Sequence, residues 1–313
     1  MSEYKHIPVM LEEAISGLNI KPNGIYVDAT LGGAGHASEI LKRLNNQGHL
    51  YCFDQDEYAI QKSHEKLSQI GNNFTIIKDN FVNLKEQLNR HNITYVDGVL
   101  YDLGVSSFQL DIKERGFSYH QEAKLDMRMD QSSKLTAEVI VNTYSYEELK
   151  KIFYQYGEER FAPQIAKKIV NYRQKKRIET TVELAEIIKE AVPAFARRDA
   201  HPARQVFQAL RIAVNDELRV FEKSLNQAIE MLNYQGRIVV ITFHSLEDRI
   251  CKQIFNDYTT THFPAKLPIK DVDKDIAYRL VNKKVITPTK QEIDLNPRAR
   301  SAKLRIIERI KEV

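Results

Sequence analysis

From residue 25 onward, short apolar runs alternate with longer segments whose apolar residues recur every three to four positions. Runs at 25–29, 50–54, 74–78 and 96–102 read as strands, and the stretches 37–44, 57–70 and 82–91 between them as helices. That rhythm is the mark of parallel βαβ units. Acids and glycines gather where the strands end. In a doubly wound sheet the ligand crevice opens at the carboxyl ends of the strands, so functional side chains are expected there.

The rhythm breaks after Gly104. To about Asp216 there is no buried strand pattern, but there are helix starts. Ser145-x-x-Glu148 and Thr180-x-x-Glu183 both have the spacing of a capping box. Leu149, Ile152 and Phe153 follow the first at helical spacing, and Leu184, Ile187, Ile188 and Ala191 follow the second. The α/β pattern then resumes with a helix through Phe221, Leu225 and Leu232, a turn at Gly236, a strand at 237–243 and a helix from Ser245, its expected cap. Segments 278–286 and 302–310 alternate apolar and polar residues as an antiparallel pair would. The organisation expected is one α/β domain, residues 1–107 and 217–313, interrupted by an all-helical domain at 108–216.

Composition adds little to the fold and more to the setting. A chain of 313 residues that is 42% hydrophobic can bury such cores without covalent staples. Cys52 and Cys251 sit far apart in apolar stretches, with no CxxC and no histidine cluster at zinc-ligand spacing, so both read as reduced core residues and no metal site is expected. The start of the chain has no signal-peptide pattern and no run is long enough to span a bilayer, so a cytoplasmic protein is expected. The net charge of +4 is uninformative, but its distribution is not. Eleven Lys or Arg against five acids fall between Arg160 and Arg204, a local surplus larger than that of the whole chain.

The strongest local signal for chemistry runs from Asp28 to His36, a strand followed by Gly32, Gly33 and Gly35 and then a helix. Glycines let the backbone turn and a ligand approach, and the helix start offers free N–H groups. A tight turn alone explains the same glycines. Two features favour a ligand other than a dinucleotide. Position 38, where the dinucleotide fingerprint has its third glycine, is Ser38, and Asp54 ends the second strand about 20 residues on, where a carboxylate accepts ribose hydroxyls. Phe81 either flanks an adenine or packs in the core. Asp102, ending the fourth strand beside Gly104, either accepts from an amine or caps a turn. His244 ends the fifth strand and is substrate-side or structural. Neither a nucleophile elbow nor a GxxxxGK[ST] loop is present, which excludes the usual acyl-transfer and nucleotide-hydrolysis sites.

Eight ordered motifs carry a resemblance over nearly the whole chain: residues 4–10, 32–36, Asp102–Ser107, Arg115–Ser118, Leu125–Asp130, Tyr156–Arg160, Phe243–Arg249 and Asn296–Ser301. Together they closely resemble the bacterial ribosomal RNA small subunit methyltransferase H family. The resemblance implies a class I (Rossmann-like) S-adenosylmethionine methyltransferase sheet with an inserted helical substrate-binding domain. The implied reaction is methylation of the exocyclic N4 of one cytidine in the decoding region of 16S ribosomal RNA, within the small subunit. By motif position it implies cofactor contacts at Ala34, Gly35, His36, Asp54, Phe81, Asp102 and Gln109. Gln109 is implied by the resemblance alone. Asp102 is the candidate catalytic residue, since N4 is a weak nucleophile and an acceptor for its proton would help.

The basic run through Lys167, Lys168, Arg173, Lys175, Lys176, Arg177, Arg197, Arg198 and Arg204, with Tyr172 interleaved, is expected to meet RNA by charge and stacking, joined by Arg298, Arg300, Lys303 and Arg305. The competing reading of such a run is a solvated helix face. Alternatives to the enzyme assignment are a non-catalytic RNA-binding assembly factor, a methyltransferase on DNA, protein or a small molecule, and a nicotinamide oxidoreductase, which Ser38 disfavours. The oligomeric state stays open, a dimer included.

Overall fold

The computed structural model describes residues 7–197, 201–260 and 276–312. Tyr4 to His6 of the first motif and Arg198 of the basic run lie outside them. The chain divides into two compact units, Met1–Gly104 with Leu218–Val313, and Val105–Glu217.

The first unit is built on a sheet of β1 (Ile25–Asp28), β2 (His49–Asp54), β3 (Phe74–Lys78), β4 (Val96–Asp102), β5 (Leu232–Thr242), β6 (Tyr278–Leu280) and β7 (Lys303–Arg309), in the order β3-β2-β1-β4-β5-β7-β6. The first five strands run parallel, and β7 is antiparallel to both β5 and β6. Period-two side-chain alternation divides the strands between two cores. Val27, Phe53, Val99, Tyr101, Ile238 and Val240 face one side, and Tyr26, Leu50, Cys52, Leu100, Val239 and Ile241 the other. Helices α1 (Leu11–Leu18), α2 (Gly35–Leu41) and α3 (Glu57–Leu67) cover the second side; α4 (Leu84–Arg90), a later α11 (Glu217–Glu230) and α12 (Ser245–Thr259) cover the first. Both cysteines are buried with free thiols. No helix among the described residues is long and apolar enough to cross a membrane.

Two sequence expectations shift at the end of this unit. Helix α11 ends at Glu230, so Leu232 opens β5, and Gly236 lies inside that strand rather than in a turn before it. Val96 pairs with Leu232 but Gly98 with Arg237, so four residues of β5 bulge opposite one of β4, with Gln235 at φ 59°. Locally a bulge and a turn look alike; the distant partner strand separates them. The expected strand at 278–286 keeps only three residues. Asn282 then presents its side chain to β7, accepting from Ile306 N at 2.8 Å and donating to Leu304 O at 3.1 Å. An amide side chain thus stands in for backbone pairing while the chain turns toward α13 (Lys290–Leu295).

The second unit holds α5 (Ser107–Asp111), α6 (Ala137–Thr143), α7 (Tyr146–Gly157), α8 (Ala162–Arg173), α9 (Thr181–Ala191) and α10 (Ala203–Asn215) around a core that includes Leu149, Phe153, Ile165, Leu184, Val206 and Leu210. Ser145 and Glu148 form the reciprocal capping box expected of them. Thr180 accepts from Glu183 N, but the Glu183 carboxylate turns to Glu179 N, Tyr172 Oη and Lys176 Nζ, so this cap is one-sided. The motif at 125–130 is tied to its own unit. Arg128 grips Asp126 through two 2.7 Å bonds, buried Arg115 donates to the carbonyls of Arg128 and Met129, and Asn215 brackets Met127, which is held at φ 62°.

In the first unit, residues before α1 form a strap. Met10 N donates to Glu292 Oε1 at 2.6 Å, and Asn296 Nδ2 donates to Ile7 O at 3.1 Å. Pro8 lies against Gly35, where a methyl would collide with the proline ring. Gly35 is the first residue of α2, so Ala there would ordinarily favour the helix. The collision outweighs that gain: Gly35→Ala is expected to cost about 1–3 kcal/mol in urea unfolding. Adding Pro8→Gly should recover most of the loss, a coupling that a purely conformational role of Gly35 would not produce.

Candidate cofactor and active site

Parallel register brings the ends of β1, β2 and β4 to one edge, and the order reverses between β1 and β4, the switch point at which such sheets bind ligands. Each of these strands ends in an aspartate. Asp54 accepts from Gly32 N and from Asp56 N, both at 2.9 Å, so it braces the glycine turn while burial pushes its carboxyl up to about 6. Asp56 caps α3 through Tyr58 N and is structural. Asp28 is 1% exposed and accepts from Thr30 N at 3.0 Å; burial, with Asp54 adding to it, raises its carboxyl to about 7. Thr30 in turn accepts from Asp102 N at 2.7 Å. Burial, then the neighbouring Asp28 and Glu247, drives Asp102 well above the carboxylate range. These are the signs expected of acids crowded out of water.

The glycine turn is shaped differently from the sequence reading. Gly32 is left-handed at φ 47°, but so is Ala34 at φ 53°, a fully buried residue that carries its Cβ into that region. Gly35 makes room for Pro8, a protein contact rather than a ligand's approach. The carbonyls of Gly32, Gly33 and Ala34 are held by Ser63, Lys66 and Ser38 in that order. Ser38 is thus a buried clamp on the turn, which gives its place in the fingerprint a structural reason.

His36, 5% exposed, joins the strap to the acids. Its Nε2 lies 3.0 Å from Val9 O and its Nδ1 3.5 Å from Asp102 Oδ2. A carbonyl only accepts, so Nε2 carries a proton and Nδ1 is turned toward Asp102. The other oxygen, Asp102 Oδ1, is buried with no hydrogen-bond partner among the described residues. An unsatisfied buried acceptor of this kind is costly unless a ligand donates to it. Three acids beside it make the edge fit for a cation or for several N–H and O–H donors.

The structure separates other candidates. Phe81 meets Tyr101 edge to face at 5.8 Å and packs against the core, while remaining partly exposed. His244 rather than Ser245 caps α12. Its backbone is extended, and Nδ1 accepts from Glu247 N while Glu247 Oε2 accepts from Phe243 N and His244 N. Gln109 belongs to the second unit, where it completes a capping box with Ser106. Asp28, Thr30 and Glu247 were not singled out from the sequence. The first ends a strand as Asp54 does, and the last stands three residues from an unusual cap, the only signals available.

Part of the basic run is engaged within its own unit. Lys168 pairs with Glu190, Lys176 with Glu183 and Arg177 with Glu138, while Arg173 and Arg197 donate to the carbonyls of Val141 and Val192. Tyr172 gives its hydroxyl to Glu183 and its ring to the helical core, so it is no free stacking residue. Lys303 and Arg305 both bind Asp248. Ion pairs within the fold, which composition cannot reveal, offset Lys168, Lys176, Arg177, Lys303 and Arg305, while Arg173 and Arg197, bonded to neutral carbonyls, keep their charge.

The chain is similar to an rRNA methylase from Streptococcus thermophilus at 11% identity, covering 98% of this chain and 99% of that one with a TM-score of 0.42. It is also similar to NSun6 from Pyrococcus horikoshii with SFG, at 11% identity over 100% of this chain and 56% of that one, with a TM-score of 0.46. Likenesses this distant add nothing to the assignment. Residues 3–310, by contrast, match the MraW methylase family, nearly the whole chain. With the strand order, the glycine turn and the acids at the switch point on one sheet edge, the match shows that this chain belongs to the MraW methylase family, that of the 16S ribosomal RNA cytidine methyltransferase, and is an S-adenosylmethionine-dependent methyltransferase.

Proposed function

We propose that this methyltransferase acts on ribosomal RNA, at the exocyclic N4 of a cytidine in the decoding region of 16S RNA within the small subunit, and that residues 108–216 help hold that substrate. The family match over residues 3–310 carries the substrate, and Asp102 Oδ1, a buried acceptor without a partner among the described residues at the end of β4, supports the chemistry. S-adenosylmethionine supplies an activated methyl group on a cationic sulfur. The residues present fit it: the turn at Ala34, Gly35 and His36 offers a helix start, Asp54 suits ribose hydroxyls, Phe81 suits a ring edge, and Asp28 and Asp102 suit positive charge. Gln109 is assigned by family position. Asp102, ionised once positive charge lies beside it, takes up a proton from the amine, with His36 orienting it from the other oxygen. The chemistry otherwise asks the protein for alignment and exclusion of water.

Raised carboxyls make cofactor affinity depend on pH. Hydroxyl donors and a cation favour ionised Asp54 and Asp28, whose carboxyls lie at about 6 and about 7, so affinity rises as pH climbs through that window. Without cofactor the sign reverses: the folded state holds protons that the unfolded chain releases, and stability contributed at low pH is lost as pH rises to about 7. Titration calorimetry should give roughly tenfold weaker binding at about pH 5.5 than at about pH 7.5. Asp54→Asn should weaken binding roughly 10–100-fold and make its pH dependence shallower.

Asp102→Asn is expected to slow single-turnover methylation at saturating cofactor roughly 10²–10⁴-fold. An unchanged single-turnover rate with weakened cofactor binding would confine Asp102 to the cofactor. The acceptor is tested by transfer of labelled methyl to small subunits and to naked ribosomal RNA from cells lacking the protein, followed by nucleoside analysis. N4-methylcytidine is the expected product; label elsewhere, or none, refutes the assignment.

A further inference from the structure

Besides the basic run, in which Lys168, Lys176 and Arg177 are paired with acids of the same unit, the helical unit offers RNA a second feature. Arg160 is exposed and makes no ion pair among the described residues. Its guanidinium lies 4.7 Å from the centroid of Phe161 and 5.9 Å from that of Phe195, and the two rings meet edge to face at 6.3 Å. Phe161 rests on the helical core. Phe195 does not: it is 64% exposed on the short turn Ala194–Arg197 after α9. A single exposed aromatic needs no explanation, but a second ring and a cation without an ion pair among the described residues make a composite surface. The first turn of α10 carries exposed Arg204 and packs on Gly157, close in sequence to Arg160.

Every nucleobase has a π-face, and proteins hold splayed bases by stacking them on aromatic rings and guanidinium planes. A protein surface that bound another apolar face would have little use for a charged group lying across both rings. A base whose phosphates also need a counter-charge uses both. We propose that Arg160, Phe161 and Phe195 form a stacking platform for an unpaired base of the RNA substrate, with Arg204 available to phosphate. This rests on the RNA reading above and moves the expected contact away from Tyr172 and the 167–177 run.

The test is binding of labelled single-stranded ribosomal RNA fragments by fluorescence anisotropy over a range of salt, with cofactor calorimetry as the check on folding. Phe195→Ala should weaken RNA binding roughly 10–100-fold with little change in the salt slope, since a ring neutralises no phosphate. Phe195→Trp should restore it. Arg160→Gln should weaken binding and lower the slope, whereas Lys176→Gln with Arg177→Gln should do less than either. Unchanged RNA affinity in Phe195→Ala, with wild-type binding intact, overturns the platform and leaves the RNA reading standing. No binding by the wild type to the fragments or to small subunits removes the RNA reading itself. A change of mass in sedimentation caused by Phe195→Ala makes the rings a contact between copies of this chain and also overturns the proposal.

Discussion

Three aspartates ending neighbouring parallel strands cannot all stay ionised out of water unless something positive or donating comes among them. Register leaves no choice about their closeness, because Asp28 pairs across to Leu100 two residues short of Asp102, and the turn after β1 reaches Asp54 through Gly32. The surroundings show the consequence. Backbone N–H groups of Gly32, Asp56 and Thr30 are turned onto Asp54 and Asp28, yet both carboxyls stay raised, and Asp102 keeps one oxygen without a donor. The edge therefore suits a group that brings positive charge and hydrogen-bond donors.

Much of the remaining motif content serves to hold that edge in shape. Glu292 and Asn296, near the end of the chain, fix the strap at Met10 and Ile7; the strap sets Val9 O against His36; and His36 faces Asp102. Residues nearly 300 positions apart thus act on one carboxyl. In the second unit Arg115, Asp126, Arg128 and Asn215 similarly satisfy a left-handed, buried stretch of backbone around Met127. Unusual motif composition here reports irregular backbone that needs side chains as hydrogen-bond partners.

Charge was the least legible quantity. A count of Lys and Arg between 160 and 204 points to a basic face, but acids that follow in α9, and Glu138 in α6, lie where those cations fold back to meet them. Helical spacing governs which residues share a face, and packing of one helix on another governs which faces meet. Only the first is readable along the chain. Phe195 is illegible for the opposite reason: flanked by Val192, Ala194 and Ala196 it reads as core along the chain, whereas the fold leaves it exposed.

The sequence by itself determined the parallel strands, the acids at their ends, the helical character of the middle third and the family, because period, turn residues and ordered motifs are local properties of the chain. Tertiary structure alone decided that Gly236 sits in a bulge, that Asn282 ends β6, that His244 and not Ser245 caps α12, and that Tyr172 is occupied. It also decided which Asp102 oxygen is left open. The bulge depends on a distant strand and the end of β6 on a partner 24 residues away, while the His244 cap and the Tyr172 bond use partners three and 11 residues on, which spacing leaves undecided among several. A hydrogen bond or an ion pair is a property of two groups in space, and one-dimensional spacing does not contain the second.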